Sequence, residues 1–381
     1  MFEKLLKAEN IFESSKFLII LNKICFLLFI SIETSSNGKF KATTKPRDFT
    51  IFIIFLIFGT YSIVNLFTSE TNIDTTRSIV SQIAIYFKIR IQLFQTVIAT
   101  VVAFVKRKNY FEILTKFNAI DLKLLSFGVI RNYKQDLKFT IYFIASIFII
   151  FDIITISGLI PIQLYNVHYL IPYKNLFFIL SFQIAAVTNL TFTISMMAVN
   201  SRVLQTLKAI KSIEHLSCND IKLLMRIYSN FFDISNLCND FFSQNILIGF
   251  AEYFLQGIVT AFLTYELFFV RSSFDYLMLF FSSFAYFIAT SIIYFLVLKT
   301  SSNLKSNGNK MWKEINKRRN SDENVQNLCE ISILQMRSQQ LVAGCKIFQF
   351  DWKVLFLIFT GVVSYLTIMI QFDISVGDLK N

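Results

Sequence analysis

Hydroxyl and amide side chains recur at helical spacing near the end of the chain, in an otherwise apolar stretch. Thr360, Ser364, Thr367 and Gln371 stand at i, i+4, i+7 and i+11, so a helix places them on one face. If that helix crosses a membrane, its polar stripe must face protein or water. Two kinds of chemistry fit: hydrogen bonds that hold helices together, or the wall of an ion pathway built from symmetry-related copies of one helix. The stripe alone leaves both open.

Catalytic chemistry has no comparable support in the sequence. His168 and His215 are the two histidines, and no His, Cys and carboxylate residues share a metal-ligand spacing. The sequence contains no glycine-rich loop of the kind that binds phosphate. We therefore expect neither an enzyme nor a cofactor or metal site.

The composition limits which elements can carry the stripe. Hydrophobic residues make up 54% of the 381 residues and charged residues 16%, whereas soluble domains have about 45–50% and about 25%. Phe alone accounts for 45 residues, against 10 Gly and 3 Pro. These values exclude a soluble enzyme, a disulfide-stapled secreted domain and a disordered tail, and they predict an all-α membrane protein.

Seven stretches are apolar and long enough to cross a bilayer, which takes about 20 residues. Spans 1 to 7 are Phe49–Phe67, Ile79–Val105, Phe139–Ile160, Leu176–Val199, Ile246–Val270, Tyr276–Leu298 and Val354–Phe372. An eighth stretch, Phe17–Ile32, is short and interrupted by Asn22 and Lys23. We interpret it as an interfacial or re-entrant helix.

Lys and Arg are distributed unevenly over the segments between these spans. Segments 1–48, 106–138, 200–245 and 299–353 hold 31 of them, the other segments hold four, and two lie in span 2. Because cytoplasmic segments carry the excess of Lys and Arg, this bias predicts a cytoplasmic N-terminus and an extracellular C-terminus. The net charge of +12 is then a topology signal, and we expect no nucleic-acid partner.

The segments on the predicted cytoplasmic side are long and show heptad spacing, which builds helix–helix seams. One seam is Leu224, Ile227, Phe231, Ile234, Cys238 and Phe241; the other is Ile331, Leu334, Ser338, Leu341, Cys345 and Phe348, which runs directly into span 7. The spans could simply extend inward and pack on one another, or the seams could form an anchor domain that joins subunits. The composition of Ser301–Asn324 predicts a flexible loop.

Five parts follow along the chain. Residues 1–48 form a cytoplasmic segment with the interfacial helix, and residues 49–298 hold spans 1 to 6 and long cytoplasmic loops. Residues 299–353 form a cytoplasmic loop and an anchor helix, 354–372 form span 7, and 373–381 form an extracellular tail.

The end of span 7 resembles a known signature. Residues Ser364 to Phe372 read Ser-Tyr, five residues and Gln-Phe, which is similar to the Thr-Tyr, five hydrophobic residues and Gln-Phe of insect gustatory receptors. The preceding Gln340-Leu341, Phe348 and Asp351 to Leu355 also resemble that family. Two positions depart from it: Ser364 replaces Thr and keeps the hydroxyl, and Thr367 replaces a hydrophobic residue.

This resemblance implies a ligand-gated cation channel, made as a homotetramer or heterotetramer in the plasma membrane of chemosensory neurons. It implies that the last helix lines the pore, with Ser364 and Thr367 on the wall and Gln371 and Phe372 at the gate. Membrane lipids and permeant monovalent cations, with calcium as a further candidate, are the other implied partners. Sugar-sensing members often carry Glu where Leu366 stands, so we expect a bitter or other non-sugar tastant.

The resemblance also implies a small-molecule pocket in the outer half of spans 2 to 6. Polar groups among aromatic side chains suit such a pocket. The candidates are Asp152, Thr155, Gln183, Gln256, Thr260, Thr264, Phe281, Ser283 and Tyr286. The Ser and Thr hydroxyls could instead bond within their own helices, and Asp152 could form a structural ion pair with Lys88 or Arg90.

Three other functions compete with this reading. An odorant-receptor-type channel subunit shares the architecture but lacks the Gln-Phe ending. A metabotropic seven-span receptor is disfavoured because the charge bias puts the N-terminus inside. A transporter would show saturable uptake without a ligand-evoked current.

Overall fold

The protein is mostly helical. The computed structural model describes residues 8–34, 40–68, 79–164, 172–270, 274–317, 323–345 and 348–378. In chain order its elements are α1 Ile11–Ser14, α2 Lys16–Ile24, β1 Ser31–Thr34, β2 Phe40–Thr43, α3 Pro46–Thr68, α4 Ile79–Val105, α5 Arg107–Leu125, α6 Tyr133–Leu164, α7 Pro172–Ser212, α8 Cys218–Tyr265, α9 Phe274–Lys317, α10 Glu323–Ser338 and α11 Trp352–Asp378. A π-helical turn, Glu266–Val270, extends α8.

Seven of these helices, α3, α4, α6, α7, α8, α9 and α11, contain the predicted spans. In the described residues, five stretches are long and apolar enough to cross a membrane: Pro46–Val64, Leu180–Ser212, Cys218–Phe269, Ser283–Lys317 and Trp352–Phe372. Helix α4 adds the shorter apolar stretch Arg90–Val105. The chain is thus a helical protein with several apolar helices, as predicted, whereas the count of seven crossings and the direction of the termini stay predictions.

Helix α8 is the centre of the fold. It begins with a capping box, in which Ser217 Oγ accepts from the Asp220 backbone N–H and the Asp220 carboxylate accepts from the Ser217 N–H. Its first heptad seam is at most 4% exposed over Leu224, Ile227, Phe231, Ile234, Cys238 and Phe241. Helices α4, α5, α7, α9 and α11 pack around α8. The seam is therefore buried inside one chain, as expected if the spans extend inward and pack on one another.

The prediction of a flexible loop over Ser301–Asn324 is wrong for most of that range. Helix α9 continues to Lys317. Leu304, Met311 and Ile315 are fully buried on one face of it. They stand at i, i+7 and i+11, a helical spacing that the many Ser, Asn and Lys residues between them obscure.

The prediction that the second heptad seam continues as one helix into span 7 is also wrong. Helix α10 ends at Ser338, and its Ile331 and Leu334 are 56% and 65% exposed. Beyond it the chain folds back on itself, with the Phe350 N–H donating to Ala343 O at 2.9 Å. This turn needs Gly344, because a Cβ there would lie 2.8 Å from Phe348 O.

The N-terminal segment departs from the single helix predicted over Phe17–Ile32. Helix α2 ends at Ile24, and Phe26 adopts a left-handed φ of 56° that turns the chain. The next residues, Leu27 to Ile30, are at most 4% exposed. They lead into the antiparallel β1–β2 hairpin, where Ser31 is paired with Thr43. The predicted all-α class therefore has to be corrected for one small β-hairpin. The residues that lead into this hairpin are buried in the fold.

A buried ion pair ties α5 to α7. Arg202 Nε and Nη2 donate to the two oxygens of Asp121, both at 2.7 Å. The Tyr133 hydroxyl donates to Asp121 Oδ2 at 2.9 Å, and the Arg202 guanidinium lies 4.4 Å from the Phe117 ring centroid. Burial, followed by the charge of Asp121, raises the pKa of the Tyr133 phenol, so it stays protonated and donates.

Candidate functional site

The polar stripe of α11 points away from the rest of the chain. Only 6% of the Trp352–Phe372 span is buried, and Thr360, Ser364, Thr367 and Gln371 are all exposed. The Thr360, Ser364 and Thr367 hydroxyls each donate at 3.0 Å to the carbonyl four residues earlier in their own helix. Within the described residues, these hydroxyls therefore do not hold α11 to another helix.

The opposite side of α11 packs closely on α8 through two glycines. A Cβ at Gly361 would lie 2.8 Å from the Phe254 ring, and one at Gly257 would lie 2.9 Å from Val362. The Tyr365 ring meets Phe254 edge-on, with ring centroids 5.6 Å apart. Tyr365 thus acts in packing, and the predicted gate residue Phe372 is 62% exposed beyond this contact. The sequence alone does not reveal this glycine pair, because its significance depends on which helices meet.

Three of the predicted ligand residues form one buried cluster between α8 and α9. Gln256 Nε2 donates to Ser283 O at 2.8 Å, to Ser283 Oγ at 3.0 Å and to Thr260 Oγ1 at 3.1 Å. The Thr260 and Ser283 hydroxyls lie 3.0 Å apart. Gln256 is fully buried, and its Oε1 has no hydrogen-bond partner in the described part of the chain. An acceptor is thus available for a group that donates a hydrogen bond.

Tyr286, another predicted residue, lies about one turn from this cluster and contacts the same helix α8. The Tyr286 hydroxyl donates to Glu252 Oε1 at 2.8 Å. The Tyr286 ring meets the Phe182 ring of α7 at 4.3 Å between centroids and an interplanar angle of 62°. Glu252 was not among the predicted ligand residues, and it forms this contact next to the candidate pocket. Its place four residues before Gln256 is the pattern that could have identified it.

Of the remaining predicted residues, the structure describes the side chains of Thr264, Gln183 and Phe281 but not those of Asp152 and Thr155. Thr264 donates to Thr260 O at 2.7 Å, which is the local bonding given as the alternative. Gln183 is half-buried on α7. Phe281 is 54% exposed, whereas Ser283, two positions along α9, is 8% exposed, and the inclusion of Phe281 in a pocket stays a prediction. The side chains of Asp152, Thr155 and Lys88 lie outside the described residues, and the proposed ion pair remains untested.

A small apolar cleft between α6 and α9 adjoins this region. It is lined by Ile147, Ile150, Ala289, Ile292 and Ile293. No group of three His, Cys, Asp or Glu residues in the described ranges could hold a metal ion. The cleft has a volume of about 10 Å³, which is room for no more than one water molecule.

Comparisons with known proteins identify the family and the fold. A family model described as 7tm Chemosensory receptor matches residues 17–376. The insect olfactory receptor OR5 from Machilis hrabei is similar in structure, with a TM-score of 0.69 and 11% identity, over 93% of this chain and 97% of that one. The same receptor in complex with eugenol gives a TM-score of 0.62 at 11% identity, with the same coverage. At this identity the likeness concerns the fold alone, and no curated protein matches in sequence.

Proposed function

The chain belongs to the 7tm chemosensory receptor family, within the insect chemoreceptor superfamily, and from this we propose that it is a gustatory receptor subunit that forms a tastant-gated, non-selective cation channel. The observation that carries the proposal is the exposed polar stripe of α11. An odorant-receptor-type subunit is the second candidate, and the structural likeness to OR5 favours it equally.

The stripe supports a pore because, in the described part of the chain, its hydroxyls bond no other helix. The three hydroxyls are bonded to backbone carbonyls of α11 itself, so Gln371 is the side chain of the stripe that most needs water or a protein partner within an apolar helix. Several copies around a common axis would give the stripes a shared water-filled pathway. We take four copies as the assembly, following the resemblance. Ser364 and Thr367 would then line the wall and Gln371 and Phe372 would form the gate, where a Phe ring can close a pore by dewetting.

The buried cluster of Gln256, Thr260 and Ser283 supports a ligand site. Its free acceptor, Gln256 Oε1, suits a small molecule with a hydroxyl or amine donor, while Phe182 and Tyr286 supply apolar surface. Gly257 follows Gln256 and contacts α11 at Val362. A ligand that moves this turn of α8 therefore acts on the pore helix through a direct contact. The expected ligand is a bitter or other non-sugar compound.

Current recording in a heterologous cell that expresses this chain tests the pore. Gln371→Ala should change single-channel conductance or permeability ratios, and Phe372→Ala should raise the basal current. Tyr365→Phe is the matched control on the same helix, because its ring faces Phe254. It should leave conductance unchanged. If Gln371→Ala keeps the parent's conductance, selectivity and gating, the pore lies elsewhere.

Dose–response curves test the ligand site separately. Gln256→Met removes the amide at nearly constant length, so we expect a shift in tastant sensitivity with unchanged ion selectivity. Excised patches that lack cytosolic components should keep the ligand-evoked current, whereas a metabotropic receptor would lose it. Saturable uptake without any current would indicate a transporter and contradict the proposal. Expression in taste rather than olfactory neurons would distinguish the two receptor types.

A further inference from the structure

Four buried carboxamides stand on three neighbouring helices of the bundle, outside the candidate ligand site. Gln92 and Gln95 come from α4, Asn189 from α7 and Asn245 from α8, and all are at most 3% exposed. The cluster meets α8 at Gly249, seven residues before Gln256, which is about 10 Å along a helix. This carboxamide cluster is thus distinct from the Gln256 site.

The cluster meets at Gly249 of α8. Gln95 Nε2 donates to the Asn245 backbone oxygen at 3.1 Å and lies 2.8 Å from where a Gly249 Cβ would be. The Tyr294 hydroxyl of α9 occupies the same niche and accepts from Asn189 Nδ2 at 3.4 Å. Because Gly249 has no side chain, polar groups from α4, α7 and α9 converge on the α8 backbone.

The polar atoms of this cluster are not satisfied by the protein. Gln95 Oε1, Asn189 Oδ1 and Asn245 Oδ1 have no hydrogen-bond partner within the described ranges. The same holds for both Oε1 and Nε2 of Gln92, which is fully buried. Buried polar atoms are nearly always hydrogen-bonded, and leaving them unbonded is destabilising. Gln92 stands three residues before Gln95, one turn away on the same side of α4. The four unbonded acceptors and one unbonded donor on these neighbouring helices therefore indicate a bound group.

We propose that the carboxamide cluster is a hydration site, in which ordered water links α4 to α7 and α8. Water both donates and accepts, so it can satisfy the Gln92 Nε2 donor as well as the four oxygens. A bare cation would bind the oxygens and leave that donor unbonded. A buried water makes about three hydrogen bonds, so five orphaned atoms correspond to about two waters. The helices would then be bridged through exchangeable molecules instead of direct side-chain bonds.

X-ray hydroxyl-radical footprinting of the purified full chain in lipid nanodiscs tests this site. The radicals form from water, so a buried ring is oxidised only where water lies against it. Tyr294 is 2% exposed, and Phe231, fully buried among apolar side chains of α8, is the control. We expect Tyr294 to be oxidised several-fold faster than Phe231. An equal rate would overturn the proposal.

Two variants separate hydration from an empty cluster. Gln92→Met and Asn189→Leu remove orphaned atoms at similar volume, and Asn327→Leu on the exposed side of α10 is the control. If water is bound, oxidation of Tyr294 falls several-fold in Asn189→Leu and neither variant has a higher Tm than the parent. If both variants raise Tm and oxidation is unchanged, no water was present. Oxidation that changes when sodium is exchanged for N-methyl-D-glucamine would identify a cation instead and would also refute the hydration site.

Discussion

Replacing Arg202 with Met should destabilise the folded chain more than any comparable surface change. The change removes two charge-assisted hydrogen bonds of 2.7 Å and leaves the carboxylate of Asp121, whose side chain is 4% exposed, without its cation. Breaking a buried ion pair in this way costs about 3–5 kcal/mol. The Tyr133 hydroxyl still donates to Asp121, so we expect the lower end, about 3 kcal/mol.

The loss can be measured as a change in Tm of the detergent-solubilised protein, monitored by size-exclusion chromatography after heating. A destabilisation of this size lowers Tm by roughly 5 °C in a large domain. Lys116→Met is the matched control, because Lys116 binds Asp233 at 2.9 Å with side chains 28% and 43% exposed. An exposed pair contributes about 0–1 kcal/mol, so its Tm should barely change.

The double substitution Arg202→Met with Asp121→Leu completes the test. It removes both charges and replaces them with apolar groups that can pack against Phe117, so most of the lost stability should return. If Arg202→Met is no worse than the control, the pair is not in a dry environment. If the double variant is as unstable as Arg202→Met alone, packing rather than the orphaned charge explains the loss. Either result would refute the reasoning.

Three further predictions concern assembly, coupling and topology. Leu334→Asp, on the exposed face of α10, should weaken the oligomer on native gels and leave the subunit folded. Leu341→Asp, at a residue that is 2% exposed, should instead prevent folding. Normal assembly of Leu334→Asp would show that this face of α10 is not a subunit interface. Gly361→Leu should separate α11 from α8 and change tastant sensitivity or basal current in whole-cell recording; unchanged curves would mean that this contact does not couple the two helices. A reporter fused after Asn381 should be extracellular and one inserted between Lys317 and Glu323 cytoplasmic; the reverse accessibility in intact cells would refute the topology.

Periodicity made much of this molecule predictable from its sequence. A stripe such as Thr360, Ser364, Thr367 and Gln371 depends only on helix geometry, and the structure places all four on one exposed face. The buried seam from Leu224 to Phe241 followed from the same spacing. The heptad argument failed beyond Ser338, because Gly344 allows a tight turn that hydrophobic spacing does not reveal.

The candidate site was less predictable, since it depends on which helices meet. Gln256, Thr260 and Ser283 were chosen by depth, and they do lie together. Phe281 has the same depth but is 54% exposed, and depth alone cannot separate it from Ser283. The carboxamide cluster joins Gln95 to Asn245, 150 residues later, so no local pattern could indicate it.

The contact between the N-terminal segment and α7 has a consequence for the order in which the protein folds during synthesis. The Asn22 side chain donates to Thr191 at 3.0 Å, across 169 residues of chain. At about 5–20 residues per second, a ribosome needs on the order of ten seconds or more to make the helix that receives it. The Phe29 ring, by contrast, lies 5.6 Å from the Phe52 ring and 5.5 Å from the Phe104 ring between centroids, and both partners are made long before Thr191. The N-terminal segment can therefore meet its partners in α3 and α4 earlier in synthesis than its partner in α7, and Asn22 is without Thr191 during that interval.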